Sequence, residues 1–238
     1  MGLFDNLING LIGLFGWKKR QKPFSHSDVP TYLNQFLTKM NVISPTQVYL
    51  MIGCICKTKT EPGDIGGGIQ GAEDSFFSHI FIFPGEAFGD YMRKKYSFLL
   101  ANTKIPPKAK ELEILEAEID GIDVDSMTSY LTDEFQFYLY GRYFTLEEAE
   151  KIMLRAYAMV GTPYDFAEIA KHVFGFIPDD PYRKVCSSYE VYAFEPVERT
   201  ADPEVEHGFE TPKDVAHYLF FHHAWELFKF NYPDGVGG

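Results

Sequence analysis

The sequence predicts an α+β fold, and three observations carry that prediction. Segments of strand character, rich in Val, Ile, Phe and Tyr, precede most of the helical ones, without the strict alternation that builds a parallel sheet. Hydrophobic residues make up 45% of the 238 positions, with 22 Phe, 15 Tyr and 2 Trp, enough for a sizeable core. No internal repeat divides the chain.

Charge and cysteine usage exclude several classes. There are 22 Lys and Arg against 34 Asp and Glu, a formal net charge of −12. Counterion release needs clustered cations, so nonspecific binding to DNA, RNA or anionic membrane is not expected, and no nucleic-acid partner is. Three cysteines, Cys54, Cys56 and Cys186, are too few for a multi-bridge secreted scaffold. No second Cys or His pair completes a zinc set, and Cys54 and Cys56 read as reduced core thiols on one face of a strand.

Three segments are expected: an amphipathic helix with a basic tail over 1–22, a linker and helix over 23–44, and one domain over 45–238. In the first, Leu3, Phe4, Leu7, Ile8, Leu11, Ile12 and Phe15 recur at helical spacing, followed by Trp17, Lys18, Lys19, Arg20 and Lys22. The charges follow the apolar run rather than precede it, so no cleavable signal peptide is expected. The run is shorter than a membrane span, and Asn6 spoils a myristoylation signal. The helix suits a membrane interface, a groove on a partner protein, or a face of its own domain.

Asp28 and Pro30 open a helix (Tyr32, Leu33, Phe36, Leu37, Met40) ending near Asn41. Residues 47–57 read as a strand, Glu61 to Ile65 as a turn, and Gly66 to Gly71 as a loop lacking the Gly-Lys-Ser/Thr ending of a phosphate cradle. His79 to Phe83 is a short apolar strand closed by Pro84-Gly85, and 86–101 is helical. Leu112 to Ala117, Gly121 to Val124 and Phe135 to Tyr140 read as three more strands. Thr145 and Glu148 form a capping box for a helix to about Val160. Further helices are expected at Phe166 to Phe174 and from Cys186.

Chemistry concentrates at Ser78-His79, at Glu116 on the following strand, and at Val185-Cys186-Ser187-Ser188 opening a helix. A cysteine nucleophile needs its thiolate, which a helix N-terminus and an imidazolium both favour. The imidazole must be held in one orientation by a third polar group. By spacing alone, a buried thiol and a satisfied strand histidine are the favoured reading.

The order of motifs is more specific. Pro62-Gly63-Asp64-Ile65, Ser78-His79-Ile-Phe-Ile and Leu115-Glu116-Ala117 with Gly121-Ile122 come first. Gly161-Thr162-Pro163-Tyr164-Asp165-Phe166, Val185-Cys186-Ser187-Ser188-Tyr189-Glu190 and Thr211-Pro212-Lys213-Asp214 follow. Over roughly residues 45–220 this order resembles the circularly permuted NlpC-like amidases and peptidases, the papain-like group with YiiX- and YaeF-like proteins. Lecithin:retinol acyltransferase is a distant relative of that group.

The resemblance implies a papain-like antiparallel sheet packed against helices and a cysteine hydrolase of amide bonds, acting on a cell-wall (peptidoglycan) peptide. It assigns Cys186 as nucleophile, His79 as general base, Glu116 as the residue orienting the imidazole, and Tyr164 with the Cys186 N–H as oxyanion donors. It requires neither metal nor organic cofactor. The sequence departs from the family in a long segment between His79 and Glu116, in Cys-Ser-Ser for the usual Cys-Ser-Glu, and in the bulky residues after His79. A lipid acyl hydrolase or acyltransferase is the alternative enzyme. A non-catalytic phage virion or assembly protein built on the same fold is the alternative class. Location stays open, virion-associated and membrane-peripheral placement both fitting.

Two other groups read as structural. Asp120, Asp123 and Asp125 lack the twelfth-position Glu of a calcium loop and suit a solvated strand edge. His217, His222 and His223 lack an i, i+4 pair and suit an aromatic packing face.

Overall fold

The computed structural model describes residues 33–57, 77–118, 120–132, 135–163, 186–200, 211–222 and 224–230. The expected helix over 1–22, the turn and loop over 61–71, the helix over 166–174, Tyr164 and His223 lie outside them. Helix α1 (Leu33–Met40) buries Leu33, Phe36 and Met40, one stripe at helical spacing. Strand β1 (Ile43–Ser44) then pairs back on β2 (Gln47–Lys57), Ile43 opposite Val48.

Residues 48–56 of β2 are buried on both faces, which makes it a central strand. Val48, Leu50, Ile52 and Cys54 enter one core, and Tyr49, Met51 and Ile55 the other. Strand β3 (His79–Phe83) repeats the alternation, with Ile80 and Ile82 on the first side and Phe81 and Phe83 on the second. Gly53 makes this pairing possible, because a Cβ there would run into the Phe81 ring.

After β3 come helices α2 (Gly85–Lys95) and α3 (Ser97–Leu100), then β4 (Glu113–Glu118) and β5 (Gly121–Ser126). A 3₁₀ turn (Met127–Tyr130) leads to β6 (Phe135–Phe144), α4 (Leu146–Ala158), α5 (Cys186–Phe194), α6 (Pro212–Phe221) and β7 (Glu226–Phe230). Among the described residues the strands form one seven-stranded sheet in the order β5-β4-β3-β2-β6-β7, with β1 also on β2. Every pairing is antiparallel. The architecture is therefore α+β, an antiparallel sheet with helices on both faces.

The larger core lies between the sheet and α2, α4, α5 and α6, with Phe88, Met153, Tyr189 and Leu219 among its members. The smaller lies under α1. Burying such side chains contributes about 1.5–3 kcal/mol each. A buried ion pair ties α2 to β4: Arg93 donates to both oxygens of Glu113, at 2.9 and 2.7 Å, and Tyr157 of α4 adds a bond of 3.0 Å. The Arg93 Nε also donates to the Pro106 carbonyl at 2.7 Å.

The structure departs from the sequence expectation at seven elements. The helix over 86–101 divides at Tyr96, whose φ of −108° and ψ of 23° leave helical geometry. The strand predicted from Leu112 begins at Glu113, because Leu112 takes a left-handed φ of 48°. Strands β5 and β6 run further than expected, to Ser126 and Phe144. Helix α6 and strands β1 and β7 were not predicted; α6 carries a complete capping box between Thr211 and Asp214.

Candidate active site

The site forms where the starts of β3 and α5 meet β4. His79 is the first residue of β3 and pairs with Ile55 of β2. In the β3–β4 ladder Phe81 faces Glu116, so His79 is diagonal to Glu116 across one strand step. Its Nε2 lies 2.8 Å from Glu116 Oε2, with side-chain exposures of 17% and 1%. Cys186 opens α5, a nine-residue helix, and its backbone N–H is among the first-turn donors that lack a partner within the helix. The Cys186 side chain stands near enough to His79 to bear on the charge of its ring.

Of the four side chains singled out from the sequence, the structure joins His79 and Glu116 directly, and places Cys186 beside His79 at the start of α5. The fourth, Tyr164, lies outside the described residues. Cys186 is 3% exposed, so the thiol sits in a closed setting.

The electrostatics follow from burial and contact. Burial opposes charge on His79, but Cys186 beside it and Glu116, which accepts from its ring, outweigh that, holding its pKa well above the usual imidazole value. These partners favour the charged form of the ring. Burial pushes the Glu116 carboxyl up, and Glu118 adds to this, while His79 and Tyr130 act the other way. Cys54 is a contrast: burial, with Glu190 and Cys186 nearby, drives its thiol far up and keeps it protonated.

Tyr130 was not singled out from the sequence. Its hydroxyl donates to Glu116 Oε2 at 2.6 Å and lies 2.9 Å from Glu118 Oε1. It sits in a turn, and nothing in its local sequence ties it to Glu116; only the β4–β5 pairing brings it there. Glu190, one turn beyond Cys186, is fully buried and accepts from Thr200 Oγ1 at 3.1 Å.

Glu116, Glu118 and Asp125 each bring one carboxylate oxygen within 4.8 Å of the others, a grouping able to hold a cation. Lys110 Nζ already stands 3.2 Å from Asp125 Oδ1, and Tyr130 bridges the two glutamates. His217 is edge-on to Phe221 at 4.8 Å, and His222 stacks on Tyr218 at 5.5 Å. No family model, curated protein or solved structure matches the chain.

Proposed function

We propose that the chain is a cysteine hydrolase of amide bonds, of papain-like type, with Cys186 as nucleophile, His79 as acid and base, and Glu116 as its orienting carboxylate. The supporting observation is the connected set itself. A helix-start thiol stands beside an imidazole, whose Nε2 is 2.8 Å from a carboxylate of 1% exposure. A buried carboxylate and a half-buried imidazole beside a thiol are costly in a core built only for packing.

In this reading the Cys186 thiolate attacks the carbonyl carbon, and the oxyanion forms beside the Cys186 N–H. Tyr164 is its second donor by resemblance to the family. The imidazolium of His79 gives its proton to the departing amine, leaving a thioester on Cys186. Neutral His79 then takes a proton from water as the water attacks the thioester. The carboxylic acid leaves and the thiolate–imidazolium pair returns. Glu116 keeps the ring aimed and stabilises its positive form throughout. The substrate proposed is a peptidoglycan peptide, and a phage origin fits the same reading.

One observation favours the second reading, an assembly protein using this fold without catalysis: Cys186 is 3% exposed. The test is incubation of the full chain with purified peptidoglycan fragments and, separately, with a long-chain acyl ester, followed by intact-mass analysis beside Cys186→Ala. New amine termini from the fragments, absent in the variant, support the amidase. An acyl adduct from the ester alone moves the assignment to a lipid acyl hydrolase or acyltransferase. No turnover and no adduct favours the scaffold.

A further inference from the structure

The carboxylate of Glu116 is held at one end only. Its Oε2 meets both His79 Nε2, at 2.8 Å, and the Tyr130 hydroxyl, at 2.6 Å. Its Oε1 is buried and has no hydrogen-bond partner among the described residues. Two contacts to one oxygen therefore set the orientation of the whole group. Without the phenol, the His79 bond alone would resist rotation of the carboxylate, and the orphaned Oε1 would compete for the ring.

The phenol is itself tightly placed. Tyr130 ends the 3₁₀ turn that Ser126 caps, its Oγ accepting from the Thr128 N–H at 3.3 Å. Its ring lies parallel to Phe81 with centroids 5.9 Å apart, and stands edge-on to Phe135 at 5.2 Å. Phe81 is the residue directly opposite Glu116 in the ladder. The same ring that sets Glu116's ladder partner thus also braces the phenol that grips its oxygen. Packing alone would be served as well by Phe, so the hydroxyl is the feature to explain.

We propose that Tyr130 is a positioning residue of this site, locking Glu116 Oε2 onto His79 and so keeping the imidazole aimed at Cys186; the inference rests on the hydrolase reading above. The phenol has one proton to give, and Glu116 and Glu118 both stand within reach of it. Glu118 is therefore a competitor for the grip on Glu116. The titratable groups facing this point are His79 from β3, Glu118 from β4, Asp125 from β5, Tyr130 from the turn, and Cys186 and Tyr189 from α5.

The test is the pH dependence of Cys186 carboxamidomethylation by iodoacetamide, measured on the full chain and mapped by mass. Wild type is expected to react in the acid-to-neutral range. Tyr130→Phe keeps the ring, and should move the acid limb up by about 0.5 pH unit or more while leaving thermal unfolding close to wild type. Glu118→Gln removes the competitor and should move the limb down. A purely packing role for Tyr130 would leave both limbs where they are. A Tyr130→Phe profile overlying wild type within about 0.2 pH unit overturns the proposal. Should Tyr130→Phe fail to fold, an unmoved or upward-moved Glu118→Gln limb overturns it equally. A wild-type Cys186 inert at every pH sinks the hydrolase reading first, and this inference with it.

Discussion

Phe81 and Glu116 are direct partners in the β3–β4 ladder, and this pairing fixes the reach of His79. A slip of one residue would turn Glu116 to the opposite face and bring Leu115 or Ala117 to the ring. The 2.8 Å contact between His79 and Glu116 is thus a consequence of register, held by the hydrophobic alternation of both strands.

Replacing Glu116 with Gln keeps the shape and removes the charge. Turnover of a cleaved peptide should fall by about 10- to 10⁴-fold, the range for third members of such sites, with the fold retained. Activity within about twofold of wild type would remove Glu116 from the mechanism. The partners of His79 favour its charged form, so its pKa is raised. Their contribution to stability is complete below the ordinary imidazole value and is lost as pH climbs through the higher folded-state value. An NMR titration of His79 should show a midpoint above the usual imidazole range, moving down in Glu116→Gln.

The Arg93–Glu113 pair should behave as a unit. Arg93→Met alone leaves a fully buried carboxylate unpaired and should cost about 3–5 kcal/mol by denaturant melts. Arg93→Met with Glu113→Leu should recover most of that. A double variant as unstable as the single one would mean that packing, not charge, holds α2 on β4.

The cap of α4 gives an acid-side signal. Thr145 Oγ1 accepts from the Glu148 N–H at 3.3 Å, and the Glu148 carboxylate accepts from the Thr145 N–H at 2.8 Å. The backbone N–H and hydroxyl of Thr145 lower the Glu148 pKa, so this stabilisation is present above the usual carboxylate value and lost as pH falls through the depressed one. Thr145→Ala should cost about 1 kcal/mol near neutrality. The difference from wild type should shrink in acid, and a constant difference would contradict the charged cap.

Residues 1–22 are proposed to engage a membrane surface or a partner protein. Deleting them should leave the melting temperature of the remainder nearly unchanged and abolish association with liposomes or partner. A large loss of thermal stability would place the helix in the domain core instead.

Much of this molecule was legible in the sequence because its signals are local. The alternation of β2 and β3, the capping box at Thr145 and the short strand headed by His79 all read directly. Helix α6 was missed although Thr211, Pro212 and Asp214 carry a start signal, because its aromatic and histidine residues mask the period. Strand β7 is five residues long and owes its place to the edge of β6. The proximity of His79 to Cys186 was expected from a resemblance of motif order, not from any local pattern. Tyr130 had no signal at all, since its role depends on where the β4–β5 hairpin ends.

The most direct measurement is alkylation of the full chain by iodoacetamide near pH 6.5, with each cysteine mapped by mass, for wild type and His79→Ala. Though Cys186 is as buried as the other two, its thiolate paired with imidazolium should label quickly, while Cys54, whose thiol is pushed far up, stays unlabelled, and His79→Ala should label at least about tenfold more slowly while still folded. Equal labelling of Cys186 in wild type and His79→Ala, or no labelling in either, would contradict a nucleophile activated by His79.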